Sequence, residues 1–498
     1  MLSYDLSTRG DESLYEYLYR CIRHDIAHGA ISAGQKLPSK RAFASHLGVS
    51  LVTVEAAYRQ LIAEGYILAR ERSGYYACEL PPAEKAGAVD GKFRTEGGAV
   101  SGASGFDGLS KFGDVIPGNS TAENVSVSKI VGDFVSGDAA TKMFPYSTWA
   151  KTVRGVLSDG SPELLSQAAT TAGSPQLRQA IANYLRAYRG INASSNQIVV
   201  GAGSQVLYQL VVQLLGREKI YAIETPGYPL LARMYSALGA PTRFVPLDEQ
   251  GMSEDSLRSS KVQVAHVMPV HQFPTGVAMS AARRRALLNW TREEPDRFVI
   301  EDDYDSEFRM TGRPIAPLFS IDVAGKVLYL NSFAKSLGSA FRIAYLVLPP
   351  ELANRFSVDL GFYSNTVSPL DQLALASFIE QGYYERHVNR LRARARRAQD
   401  ALVGELRNGP LSKRLHFHGL NGGLHFVMEL DDSRSEEKLV ELAARKGVLL
   451  SSLKDFFLGT DATFFVGSFE GSCFVLRYSG TDEGAARASA HALEAAWR

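Results

Sequence analysis

Three short runs in this 498-residue chain place reactive side chains where an apolar stretch gives way to a turn. Ser332-Phe333-Ala334-Lys335 closes the apolar run Val327–Leu330, and Arg342 follows shortly after. A lone lysine is ordinarily a surface residue, but one delivered by a buried strand, with a serine three residues before it, can serve as an amine nucleophile toward a carbonyl. Glu301-Asp302-Asp303-Tyr304-Asp305 closes a second run, Phe298–Glu301. Four acids so close together need solvent or partners, so a solvated surface turn is the plain alternative to a carboxylate that holds a cation. Gly201-Ala202-Gly203-Ser204-Gln205 follows a third run and opens a helical pattern, so its amides and helix dipole suit a phosphate. Alone it reads equally well as a tight turn. Their common place at strand C-terminal ends, where α/β sheets bind ligands, strengthens the three together.

The elements that must position these groups alternate. Strand-like runs at Gln197–Gly201, Lys219–Ile223, Val262–Met268, Phe298–Glu301 and Val327–Leu330 are separated by helical patterns at Gln205–Leu215, Pro229–Leu238 and Ala281–Thr291. Such alternation predicts an α/β unit with a mixed, mainly parallel sheet covered on both faces. It spans residues 130–498, with a smaller α+β part from about 369. A separate unit over residues 1–80 reads as three short helices and a β-ribbon. Between Ala83 and Ser110 there are 7 glycines in 28 residues and only two aromatics, Phe93 and Phe106. So little apolar surface cannot offset the entropy of ordering the backbone, and residues 81–129 are expected to be a flexible linker. An apolar fraction of 45% and a net charge of +1 are those of an ordinary globular protein, so any nucleic-acid footprint must be local. The three cysteines, Cys21, Cys78 and Cys473, form no disulfide or metal-ligand pattern. With neither a membrane-spanning stretch nor the basic-then-apolar order of a signal peptide, a reducing cytoplasm is expected.

In the N-terminal unit, Val54, Ala57, Tyr58, Leu61 and Ile62 form one apolar stripe of the third helix. Val52, Thr53, Ala56, Arg59 and Gln60 lie opposite, small or hydrogen-bonding groups suited to base edges. From Lys36 to Tyr76 six basic residues face three acids, a local excess that can meet phosphates. A small helical domain for protein contacts fits the periodicity as well. The residues decide more. Leu37-Pro38-Ser39-Lys40-Arg41, Leu47-Gly48-Val49-Ser50, Thr53-Val54, Glu64-Gly65-Tyr66 and Arg72-Ser73-Gly74-Tyr75 resemble the GntR-type winged helix-turn-helix. That resemblance implies binding to double-stranded DNA through Ser39, Arg41, Ser50, Thr53 and the wing around Arg72 and Gly74, with Arg59 added from the exposed face. Leu51 stands where this family commonly has arginine.

In the C-terminal unit the parts match the needs of a pyridoxal 5'-phosphate (PLP) site: a lysine, a carboxylate for the ring nitrogen, a stacking aromatic, a hydroxyl and a phosphate cup. Gly173–Gly190, Gly201–Leu207, Thr225-Pro226-Gly227-Tyr228-Pro229, His271-Gln272-Phe273-Pro274-Thr275-Gly276, Ile300–Phe308, Ser332–Tyr345 and Phe474–Tyr478 resemble a type I aminotransferase domain. With the GntR-like head, the whole chain resembles the MocR/GabR family of regulators. The resemblance implies Lys335 as the Schiff-base lysine, Asp302 at the pyridine nitrogen, Tyr304 at the phenolic oxygen and Tyr228 stacked on the ring. It places Ser204, Gln205, Ser332 and Arg342 at the phosphate and Arg477 at the carboxylate or sulfonate of an amino compound. Phe273 stands where many aminotransferases have an asparagine that touches the phenolic oxygen, and His271 or Gln272 is expected to replace it.

The expectation is therefore a PLP-dependent DNA-binding transcription regulator, without a complete transamination cycle, working as a homodimer with heads exchanged head-to-tail over two half-sites. A functional aminotransferase with an accessory head is the alternative, and a PLP-carrying protein whose head binds protein is a third. GABA-like amino acids, taurine, D-alanine-type compounds and PLP itself all remain open as effectors. No metal site is expected. His416 and His418 are read as structural residues, and the six arginines from Arg386 to Arg397 as a solvated helix face. Gly422-Gly423-Leu424-His425 loosely resembles the family's substrate-side loop.

Overall fold

The computed structural model describes residues 2, 4, 6–9, 12–70, 73–80, 130–136, 143–159, 165, 169–310, 315–459 and 469–498. The expected linker and Arg72 lie outside them. In the head, helices α1 (Leu14–Ala27), α2 (Lys40–Leu47) and α3 (Leu51–Ala63) pack around Leu18, Ile22, Phe43, Val54, Tyr58 and Leu61. Strands β1 (Lys36–Leu37), β2 (Ile67–Arg70) and β3 (Gly74–Ala77) form an antiparallel ribbon in the order β1-β3-β2. Serine starts both helices of the expected DNA-binding motif. Ser39 Oγ accepts the Ala42 N–H at 3.2 Å and Ser50 Oγ the Thr53 N–H at 3.1 Å, satisfying amides that a helix start leaves open.

Two positions on α3 differ from the expected pattern. Gln60 is only 2% exposed and donates to the Glu64 carboxylate, itself held by Tyr19 OH at 2.6 Å. Ile62, expected on the buried stripe, is 39% exposed. The body meets the chain just beyond this helix, at Glu64 and Gly65.

The body's main sheet contains β5 (Ile198–Gly201), β6 (Tyr221–Thr225), β7 (Thr242–Asp248), β8 (Gly251–Met252), β9 (Val264–Val267), β10 (Phe298–Asp302), β11 (Val327–Ser332) and β12 (Ala344–Val347), in the order β5-β12-β11-β10-β9-β6-β7-β8. Neighbours from β11 to β7 run parallel, whereas β12 is antiparallel to both β11 and β5. β7, β8 and β12 were not among the expected strands: β7 mixes exposed, half-buried and buried residues and carries Pro246, and only the one-turn helix Ala334–Leu337 and a short 3-10 turn separate β12 from β11. Side chains alternate across the sheet, Leu328 and Leu330 packing under Leu207 and Val211 on one face, Tyr329 with Leu177 and Ile181 on the other. Helices α4 (Pro175–Arg189), α5 (Ser204–Leu215), α6 (Pro229–Ala237), α7 (Ala281–Glu293), α8 (Ala334–Leu337) and α9 (Pro369–Glu380) flank it.

The helix α10 (Tyr383–Asn408) joins two cores: Tyr384 and Val388 pack with the main sheet, while Leu391 to Leu406 pack with a second, antiparallel sheet. That sheet has β13 (Leu415–His418), β14 (His425–Leu430), β16 (Ser451–Ser452) and β17 (Ser472–Arg477) in the order β13-β14-β17-β16; β15 (Val448–Leu449) pairs instead with β4 (Gly132–Asp133). Leu375 and Phe378 of α9 belong to the main core, so the change of core comes within α10 rather than near Pro369. Among the described residues, no helix is long and apolar enough to cross a membrane.

Head and body meet at the end of α3. The Ala281 N–H at the start of α7 donates to the Glu64 carbonyl at 2.8 Å. Gly65 has a left-handed φ of +71°, and a Cβ there would stand 2.9 Å from Ser280 Cβ. Only glycine satisfies both demands at once.

Candidate functional site

A cavity of about 260 Å³ opens at the C-terminal ends of the main-sheet strands, between them and the second sheet. Its lining includes Ser204, Gln205, Tyr228, Asp302, Tyr304, Ser332, Lys335, Arg342 and Arg477. Every expected cofactor residue but His271 and its alternative Gln272 is in that lining. β5 delivers Gly201 to a turn, and α5 then begins at Ser204 with its amide end toward the cavity. The Arg342 guanidinium lies against Gly203, 2.7 Å from where a Cβ would stand. β10 ends on Asp302, and β11 leads into α8, which carries Lys335; Ser332 Oγ accepts the Ala334 N–H at 3.2 Å between them.

Asp302 is the best-supported of these groups. It is 5% exposed, and its Oδ2 accepts the Tyr208 hydroxyl at 2.6 Å with His266 Nε2 at 3.5 Å. Tyr235 OH and His266 Nδ1 lie 2.7 Å apart and fix that imidazole. Burial and the Asp302 charge push the Tyr208 phenol well above its ordinary value, so it remains a donor. Among the described residues, Asp302 Oδ1 has no hydrogen-bond partner. A buried carboxylate oxygen left open beside a cavity suits a protonated ring nitrogen, so the residues fit the cofactor. Tyr208 and His266 were not anticipated. Tyr208 stands one helical turn beyond Ser204, a spacing that could have revealed it; His266 reaches Asp302 only because β9 and β10 are adjacent.

Arg477 ends β17, its guanidinium carbon 5.1 Å from the centre of the Phe273 ring and 6.0 Å from that of Phe456. Its Nε is buried without a partner, and burial lowers its pKa. A cation held against apolar rings with an open donor is suited to an incoming carboxylate. Tyr228 starts α6, edge-on to Phe273 with centroids 6.2 Å apart.

The structure separates the two residues expected to replace the missing asparagine. Gln272 is used up by its own turn and the neighbouring Pro226 loop: its amide nitrogen donates to the carbonyls of Pro226 (3.0 Å) and Phe273 (2.6 Å), and its oxygen accepts from Thr275 N and Oγ1. Nearby Glu224, buried, is pushed up to about 8 by desolvation. His271 instead turns to Asp305 and Tyr304 and lies behind the cavity wall. Among the described residues, His271, Asp305 and His425 bring metal-capable atoms within 4.8 Å of one another, a grouping that sequence spacing could not show.

The same loop links the cavity to the head. It leaves β9, carries His271 and Phe273, and ends at Ser280 beside Gly65. Arg284 of α7 ties its two ends, donating from Nη2 to the Pro269 carbonyl at 2.8 Å and from Nε to the Met279 carbonyl at 2.9 Å. Arg284 also borders a second cavity, of about 570 Å³, whose head side includes Arg23, Glu64 and Tyr66.

On the head, Ser39, Arg41, Ser50 and Arg59 are exposed, Thr53 and Gly74 half-buried. Leu51 is 38% exposed on the same surface. His418 Nε2 lies 2.8 Å from Glu429. Of the arginines on α10, Arg392 donates to the Glu307 carbonyl, and Arg386, Arg390, Arg396 and Arg397 are exposed.

The profile of the family "Aminotransferase class I and II" matches residues 140–464, and that of "Bacterial regulatory proteins, gntR family" matches residues 14–76. The chain is 33% identical to an uncharacterized HTH-type transcriptional regulator, YhdI, of Bacillus subtilis, over 99% of this chain and 97% of that one. It is 32% identical to the probable rhizopine catabolism regulatory protein MocR of Rhizobium meliloti, covering 99% and 95%. It is 30% identical to the HTH-type pyridoxine biosynthesis transcriptional regulator PdxR of Corynebacterium glutamicum, covering 89% and 88%. Among solved structures, a multiple substrate aminotransferase from Thermococcus profundus superposes with a TM-score of 0.63 at 25% identity, over 75% of this chain and 92% of that one.

Proposed function

Because the chain belongs to the family of transcription regulators that join a GntR-type head to an aminotransferase class I and II fold, we propose that it carries PLP at Lys335 and alters its grip on operator DNA when an amino compound enters the same cavity. The observation that supports this most is the shared lining: residues from Ser204 to Arg477, distant in sequence, border one cavity in which Asp302 Oδ1 is left open. In this reading Lys335 holds the cofactor as a Schiff base, Asp302 receives its ring nitrogen, and Tyr228 covers its ring. Tyr304 donates to its phenolic oxygen, and Ser204, Gln205, Ser332 and Arg342 take its phosphate. Bound there, the cofactor supplies an electrophilic carbon to which amines add. Arg477 binds the effector's carboxylate or sulfonate, and Phe273 and Phe456 exclude water around that pair.

The head reads DNA through Ser39, Arg41, Ser50, Thr53, Arg59 and the wing at Arg72 and Gly74, in a cytoplasmic homodimer whose heads are exchanged across residues 81–129. Coupling runs through the loop from β9 to Ser280, since an effector that favours one arrangement of this loop biases the head by the same free energy. Footprinting with the full PLP-loaded chain on DNA upstream of its own gene tests the reading. Protection of two half-sites that changes with an amino compound is expected, and no protection would overturn it. The nearly complete set of cavity residues favours a second reading, an aminotransferase. Sustained keto-acid release with an amino donor and acceptor would establish that activity.

A further inference from the structure

On the effector's side the cavity is sparing in charge. Among the described residues its lining holds three permanent cations, Lys335, Arg342 and Arg477, and one carboxylate, Asp302. The proposed cofactor contacts engage Lys335, Arg342 and Asp302, which leaves Arg477 to meet the effector's anion. His425, the cross-strand neighbour of Arg477 on β14, adds no charge: burial, then His271 and Arg477, holds its pKa well below the usual value.

The wall beside Arg477 is apolar. Met268, Phe273 and Leu424 line the cavity, each 9% exposed or less. Phe273 packs with Met268, Leu453 and Phe456 in one cluster, and the Leu424 carbonyl accepts the N–H of Tyr478, the residue after Arg477. The Phe273 ring stands edge-on to Tyr228 and 5.1 Å from the Arg477 guanidinium carbon, so it borders both the group assigned to the cofactor ring and the one assigned to the carboxylate. A side chain carried by the effector therefore meets hydrocarbon. A second carboxylate would find no cation there and a second ammonium no anion, and a buried unpaired charge is strongly disfavoured. Each methylene that covers the wall strengthens binding instead, by about four-fold.

We propose that the amino compound entering the cavity is an α-amino acid with a single carboxylate and an apolar side chain, selected by Met268, Phe273 and Leu424 while Arg477 holds the carboxylate. The inference rests on the cofactor reading above and narrows it. Dicarboxylic and basic amino acids are rejected by charge. GABA and taurine carry their methylenes between two charged ends and leave the wall uncovered.

The test titrates the visible absorbance of the full PLP-loaded chain with glycine and with both enantiomers of alanine, 2-aminobutyrate, norvaline and norleucine. For the preferred enantiomer the concentration for half response is expected to fall about four-fold per methylene, at least as far as norvaline. Glutamate, lysine, GABA and taurine should each be weaker than the best of the series by about ten-fold or more. Met268→Gln, close in size, and Phe273→Asn each place an amide in the wall and should reduce the preference for norvaline over glycine. That ratio is the readout because a disturbed Arg477 weakens every member alike. A flat or absent response across the series in the wild-type chain, or a ratio unchanged in both variants, would overturn the proposal and leave the cofactor reading standing. So would glutamate, lysine, GABA or taurine acting at or below the concentration that norvaline needs. A wild-type chain that gains no visible absorbance with PLP would overturn the cofactor reading, and this inference with it.

Discussion

In the head, the groups assigned to DNA stand within residues 39–74, mostly exposed, on helices started by local serine caps. In the body, the groups assigned to the cofactor and effector come from residues 204 to 477 and rely on buried partners such as Tyr208 and His266 behind Asp302. The contrast follows from the ligands. A polyanion is met by charges that stay solvated and act over a Debye length, so a short, locally ordered surface suffices. A small planar cofactor needs few bonds at exact places in a low dielectric, where an open carboxylate oxygen is costly until filled. The two regions meet at the turn of Glu64-Gly65 against Ser280-Ala281 and around the cavity beside Arg284.

The largest effect that separates the regions is expected from Lys335→Ala. The visible absorbance of the lysine-linked cofactor should vanish while the head still binds DNA; a retained band would mean that another lysine carries the cofactor. Arg477→Ala should raise the effector concentration for half response by about ten- to a hundred-fold, from the loss of a charge-assisted contact. An intact response would remove Arg477 from the site. Arg41→Ala should weaken DNA binding by about ten-fold, measured by titration at fixed salt, with cofactor loading unchanged.

Gly65→Ala addresses the link itself. The left-handed backbone and the close approach to Ser280 should cost about 1 kcal/mol. DNA binding and cofactor loading should each survive while the effector's influence on DNA affinity falls; undiminished influence would place the coupling elsewhere. The smallest effect is one of pH. Glu224 is pushed up to about 8 in the folded chain by burial, above its unfolded value near 4.5. The folded state therefore binds more protons between these values, and stability declines as pH rises through that window. Glu224→Gln should flatten the dependence of the melting temperature over the same range, and an unchanged slope would show that other groups dominate.

Much of the body was legible because strand and helix periods are local: the runs ending at Gly201, Glu301 and Leu330 lie in strands of the sheet, and Ser204, Asp302 and Lys335 follow or end them. Less legible were elements whose character depends on neighbours. β12 is antiparallel between β11 and β5, a placement no pattern within Ala344–Val347 encodes. Gln60 looked like a surface residue, yet it is buried against the Glu64 carboxylate that Tyr19 also holds.

By itself the sequence determined the fold class, the GntR-type head and a set of candidate residues that line the cavity, because motif spacing and side-chain periodicity need only the chain's own order. The tertiary structure decided what each residue faces. It turned Gln272 inward and His271 toward Tyr304, brought His425 from the second sheet to the same hydroxyl, and set Gly65 against Ser280. These contacts join segments far apart in the chain, and close packing with hydrogen-bond satisfaction, both properties of the assembled interior, selects among them.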